Sequence, residues 1–138
     1  MSGFIRIDCA KAYEEICSRV GDTTRLPVEY RNGLSSLKDA GSEYNVYLGV
    51  IDVGHIDEDT VKQVIGKNGC YFIKTTVEQD LDFVWHNREK QQFEFWGPRE
   101  NIHKAINVIN DRIKKKEFKN SMDDAYDKFD LEDKSEKK

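Results

Sequence analysis

Between Asp57 and Ile113 the apolar residues recur first with the period of a helix, then with that of a strand, then again with that of a helix. Val61, Val64 and Ile65 stand at i, i+3 and i+4 behind the acidic starter Asp57-Glu58-Asp59. This pattern predicts a helix with its negative charges at the positive end of the macrodipole. Phe72, Ile73, Thr76 and Val77 repeat the helical spacing. Leu81-Asp82-Phe83-Val84-Trp85 and Gln92-Phe93-Glu94-Phe95-Trp96-Gly97 are aromatic and β-branched alternations joined by a polar connector of hairpin length, and predict two short strands. Pro98 then suits a first helical position, Glu100 falls in the first turn, and Ile102, Ala105, Ile106, Ile109 and Ile113 form one apolar stripe.

Outside this stretch the pattern is weaker. Asp8 is placed to cap a helix running to about Val20, whose apolar face is Ala12, Ile16 and Val20 with Tyr13 and Cys17, and Gly21-Asp22 stops it. The following residues, 23–43, mix Leu26-Pro27-Val28, an Asn32-Gly33 turn signal and a short helical turn at 34–37. Residues 120–138 are rich in Asp, Glu and Lys and predict a flexible tail or a fraying helix.

Gly66-Lys67-Asn68-Gly69 lies between the first two helical patterns. Two glycines around two polar residues make a turn without side-chain bulk, which lets a nucleic-acid backbone approach its N–H groups. With this turn in its frame, the chain resembles a K-homology (KH) domain of type I. The resemblance rests on Val64-Ile65-Gly66-Lys67-Asn68-Gly69 with Phe72 behind it, and on the run from Phe93 through Gly97, Glu100 and Ile102 to Ala105, at a fitting separation. It covers roughly residues 46 to 113. It implies an α+β fold in the order strand-helix-helix-strand-strand-helix, with a three-stranded antiparallel sheet and three helices on one face. The chain departs from the family in its acidic helix start, in Cys70 and Tyr71 after the turn, and in the bulky Trp85 and Trp96.

The expected organisation is therefore an N-terminal extension with one helix over 1–43, a KH domain over 44–119 and an acidic tail over 120–138. The resemblance implies single-stranded nucleic-acid binding, RNA in preference to DNA. Its site would comprise Val64, Ile65, Gly66, Lys67, Asn68, Gly69, Ile73, Phe83, Val84 and Trp85, with the 66–69 turn on the phosphates and the strand edge at 83–85 on the bases.

A second reading comes from strand alternation. If Phe93 and Phe95 face the helices, Glu94 and Trp96 face away, and Val84 does so too if Phe83 and Trp85 point inward. Trp96 then marks an interaction face to be covered by the N-terminal helix, a second copy or a partner protein. This is the alternative: a KH-fold protein-interaction or homo-oligomer assembly module with weak or no nucleic-acid binding.

Charge changes the picture only modestly. The net charge of −4 comes mainly from the tail, while residues 44–119 balance to about zero. Bulk electrostatics therefore do not drive binding, and recognition by shape and hydrogen bonding is the mode this balance permits. Residues 114–116, three lysines, are expected to be a solvated helix end.

Cys9, Cys17 and Cys70 are odd in number, without C-x-x-C spacing or a signal peptide, so neither disulfides nor a metal site is expected. An intracellular chain, cytoplasmic or nuclear and without a membrane segment, is the corresponding expectation. His55, His86 and His103 are scattered polar positions. No P-loop, nucleophile elbow or paired-carboxylate motif is present in the sequence, so neither an enzyme nor a cofactor is expected.

Overall fold

The computed structural model describes residues 4–129, with side chains as far as residue 121. Its strands are β1 (Ile5–Asp8), β2 (Asn45–Asp52), β3 (Phe83–Asn87) and β4 (Gln92–Gly97). Its helices are α1 (Cys9–Val20), α2 (Val28–Ala40), α3 (Glu58–Ile65), α4 (Cys70–Glu78) and α5 (Arg99–Phe129). The fold is α+β. All neighbouring strands are antiparallel, in the order β1-β2-β4-β3, with Ile7 opposite Val46, Leu48 opposite Trp96 and Phe83 opposite Trp96 on its other side.

The sheet thus has four strands where three were expected, because Ile5–Asp8 pairs with β2 and extends it. It is the middle layer of three. On one face α3, α4 and α5 bury Val61, Val64, Phe72, Ile102, Ala105 and Ile109 against Val84, Phe93 and Phe95. On the other, α1 and α2 bury Ala12, Ile16, Leu34 and Leu37 against Val46, Phe83 and Trp96. Two covered faces explain why all of β4 from Phe93 to Gly97 is buried, Glu94 included. Each fully buried aromatic side chain contributes roughly 2–3 kcal/mol.

The alternation of β4 is as expected, but that of β3 is reversed. Val84 belongs to the α3–α5 core, and Phe83 and Trp85 face α1 and α2. Antiparallel pairing requires this, since Val84 stands opposite Phe95 and paired residues share a face.

The N-terminal extension contains two α-helices and a strand, not one helix. In α1 the expectation holds: the Lys11 N–H donates to Asp8 Oδ1 at 2.7 Å, and Gly21, at φ 82°, donates to the Cys17 carbonyl at 2.8 Å. The second helix, α2, runs through the Asn32-Gly33 pair that suggested a turn. Gly33 serves contact, not chain reversal. A Cβ there would stand 1.9 Å from the Asp82 carbonyl oxygen, so α2 lies directly on the backbone leading into β3.

At the other end α5 continues past residue 119, and Asn120 Nδ2 donates to Thr60 Oγ1 of α3 at 2.9 Å. The chain therefore has no structural break at 119–120. The part of the expected tail beyond residue 129 lies outside the described residues. No helix among those described is long and apolar enough to cross a membrane.

Candidate functional site

The site is built outward from the 66–69 turn. Asp57 caps α3, its carboxylate accepting from the N–H groups of Asp59 and Thr60, and Gly66 ends the helix at φ 88° with its N–H on the Lys62 carbonyl. Any side chain at Gly66 would collide with Tyr71 and Cys70, at 2.5 and 2.8 Å from its Cβ. Asn68 (φ 57°) and Gly69 (φ 75°) are left-handed, and the Gly69 N–H donates to the Gly66 carbonyl at 3.0 Å. The missing Cβ of Gly69 faces open space, so backbone is exposed where a ligand can approach closely. Lys67 and Asn68 are solvent-exposed.

The turn is braced from α5. Arg112 donates to the carbonyls of Gln63 (3.0 Å) and Val64 (3.2 Å), satisfying the C-terminal end of α3, and its guanidinium lies 3.4 Å from the centre of the Tyr71 ring.

Beside the turn runs a groove of about 790 Å³. Ile65, Gly69 and Phe72 form one wall, and Val84 to Asn87 of β3 form the other, with Arg88, Glu89 and Lys90 at the β3–β4 turn. Because β3 is the last strand of the sheet, part of its backbone N–H and C=O groups point away from β4 on that side. The C-terminal end of α1, through Ser18 and Arg19, and Tyr30 of α2 close the groove from the opposite sheet face.

Beneath this groove lies Glu94, fully buried. It accepts from Arg19 Nε at 2.7 Å, Gln92 Nε2 at 2.8 Å and Asn87 Nδ2 at 3.1 Å. Burial pushes its carboxyl up, but the hydrogen bonds from Arg19, Gln92 and Asn87 outweigh this and hold it below the usual carboxylate range. Asn87 also accepts from the Lys90 N–H at 3.0 Å, so one buried carboxylate positions both Arg19 and the β3–β4 turn. His86 packs edge-on against Phe93, and burial, helped by Arg88, lowers its pKa, leaving the imidazole neutral at neutral pH. Burial also pushes the Tyr30 phenol up to about 12, so it remains protonated.

The residues expected at the site separate into three groups. Ile65, Gly69 and Trp85 line the groove, Val84 forms its floor, and Gly66, Lys67 and Asn68 complete the turn. Val64 and Phe83 are core: Val64 is sealed beneath α5, and Phe83 packs on Tyr30 at 4.8 Å between ring centres. Ile73 is half-buried and packs toward α1 and α2, away from the groove.

Trp96, expected as an interaction face, is buried by the chain's own α1 and α2, with the Arg19 guanidinium 5.3 Å from its ring centre. Trp96 itself is therefore closed to a second copy or partner, while Ile5 and Val50 on the same sheet face remain exposed. Missed from the sequence were Asn87, Arg88 and Lys90, set aside as connector, and Ser18, Arg19 and Tyr30. The basic residues in a hairpin connector were a usable signal. Nothing local marks the other three, which arrive from more than thirty residues away.

Taken together, the groove offers backbone N–H groups at a turn, cations at Lys67, Arg88 and Lys90, an edge strand and the half-buried Trp85 ring. Such a set suits an extended anionic chain carrying flat rings. Among the described residues no group of three or more His, Cys, Asp or Glu side chains is placed to hold a metal. No family model, curated protein or solved structure matches the chain.

Proposed function

We propose that this chain binds single-stranded nucleic acid, RNA in preference to DNA, as a K-homology-type domain with an added N-terminal strand and helix pair. The carrying observation is the groove between the 66–69 turn and the free edge of β3. Its support is the order β2-α3-α4-β3-β4-α5 with β4 in the centre of those three strands, which sets an open turn and an edge strand on either side of one cleft. In this reading the N–H groups of Lys67 and Asn68 hold phosphates, the Lys67 ammonium adds charge, Ile65 and Trp85 receive base faces over a buried floor of Phe72 and Val84, and β3 offers backbone groups to base edges.

The test is fluorescence anisotropy with labelled single-stranded RNA and DNA pools and a duplex control, at two salt concentrations. Two or three phosphate contacts predict a log–log salt slope of about −1.4 to −2 for a single strand, and duplex binds more weakly. Lys67→Asp with Asn68→Asp puts carboxylates where phosphate would sit while both glycines remain, and should lower affinity by at least about tenfold with an unchanged circular dichroism spectrum. A double variant that binds as wild type removes the turn from the site.

A further inference from the structure

Resting on that reading, we propose that the bound strand continues from the turn into a second groove between α4 and α5, where lysines hold its phosphate backbone. The groove measures about 380 Å³, with Tyr71 and Lys74 from α4 and Arg112, Lys115, Lys116 and Lys119 from α5. Five cations line it against two carboxylates, Glu78 and Asp111. Residues 44–119 balance to about zero, so this is a local concentration of charge and not a general basicity.

Three observations point to a nucleic-acid backbone as occupant. Continuity is the first: Tyr71 packs against Gly66 at one end of the groove and lines it, so the turn and the lysines are joined by one aromatic side chain. The second is the division of labour among the cations. Arg112 is committed to the α3 carbonyls and the Tyr71 ring, whereas the lysines are flexible point charges, Lys115 lying 3.5 Å from Asp111 and 77% exposed. Flexible ammonium groups suit phosphates at uneven spacing and read no sequence.

Third is the spacing. Arg112, Lys115, Lys116 and Lys119 fall at i, i+3, i+4 and i+7, one stripe covering about 10 Å of helix. The exposed Tyr71 ring beside it is a stacking surface, as in sites that combine aromatic platforms with a basic track. The lysine run thus acquires a role that a solvated helix end lacks.

The test compares labelled RNA pools of five and twelve nucleotides on the full chain, using wild type, the Lys115→Glu/Lys116→Glu/Lys119→Glu variant and the corresponding triple Gln variant. Five nucleotides fill the first groove alone. Both variants should bind the five-mer within about twofold of wild type, lose about tenfold or more on the twelve-mer, and show a twelve-mer salt slope shallower by about 2, three contacts at 0.7 each.

A twelve-mer affinity and slope unchanged in both variants would overturn the inference and leave the proposed function standing. So would an equal loss on both lengths, which would mark a general field effect. Wild-type protein that binds neither length ends both readings. Tight binding of anionic phospholipid vesicles, abolished by the same substitutions without any effect on RNA, would assign the lysines to a membrane surface and overturn the proposal.

Discussion

Arg19 Nε donates to Glu94 Oε1 at 2.7 Å across 75 residues of sequence, and this contact fastens the end of α1 to the buried side of β4. Glu94 is fully enclosed while Arg19 keeps 21% of its side chain exposed, so solvent reaches the pair only through its guanidinium partner.

Removing one partner of this pair should cost far more than removing both. Arg19→Met leaves a buried carboxylate held only by Gln92 and Asn87, and should lower unfolding free energy by about 3 kcal/mol in urea titrations. Arg19→Met combined with Glu94→Leu should recover most of that loss. Because the folded Glu94 carboxyl titrates below its ordinary 4.5, its contribution is complete above that value and is lost as pH falls through the folded value. The acid limb of the stability profile should therefore flatten in the double variant. A double variant no more stable than Arg19→Met would locate the loss elsewhere.

Gly33→Ala tests why α2 docks where it does. In a solvent-facing helix this change stabilises by about 0.5–1 kcal/mol. Here the new methyl meets a backbone carbonyl at 1.9 Å, and the main chain at Asp82 cannot rotate aside as a side chain can. Destabilisation by about 1–3 kcal/mol is expected, with red-shifted tryptophan emission as Trp96 loses its cover. A stabilised variant would mean that close contact with the Asp82 backbone is not what seats α2.

Asp82 carries a pH dependence of opposite sign to Glu94. Burial, and then the nearby Asp80, push its carboxyl up to about 6 from an ordinary 3.8. Between these values the folded state holds a proton that the unfolded state releases, so stability falls as pH rises from about 4 to 6 and stays lowered above. Asp82→Asn should gain on the order of 2 kcal/mol at pH 7.5 and nearly nothing at pH 4, measured as urea midpoints. A gain independent of pH would dissociate the effect from ionisation.

How much of the site could be read in the sequence differs by wall. The 66–69 turn depends on backbone angles that glycine and asparagine alone adopt easily, and Gly66-Lys67-Asn68-Gly69 states that requirement in four letters. The groove's opposite rim depends on Arg19 and Tyr30, whose positions follow from how α1 and α2 settle on the sheet. The orientation of β3 shows the same limit. Strict alternation says that Phe83 and Trp85 share a face and Val84 takes the other, but only pairing with β4 decides which face is which.

The sequence by itself determined the elements from Asp57 to Ile113, the cap at Asp8, the acidic helix start at 57–59 and the turn at 66–69, because periodicity, capping, charge at a helix end and φ preference act within a few residues. Only the tertiary structure decided that Ile5–Asp8 is a fourth strand, that Gly33 is a helix contact, and that Trp96 is core. Each of these depends on the surface that distant residues present. Strand pairing satisfies backbone groups across the sheet, a glycine marks a turn or a close approach according to what lies beside it, and a tryptophan is exposed until two helices cover it.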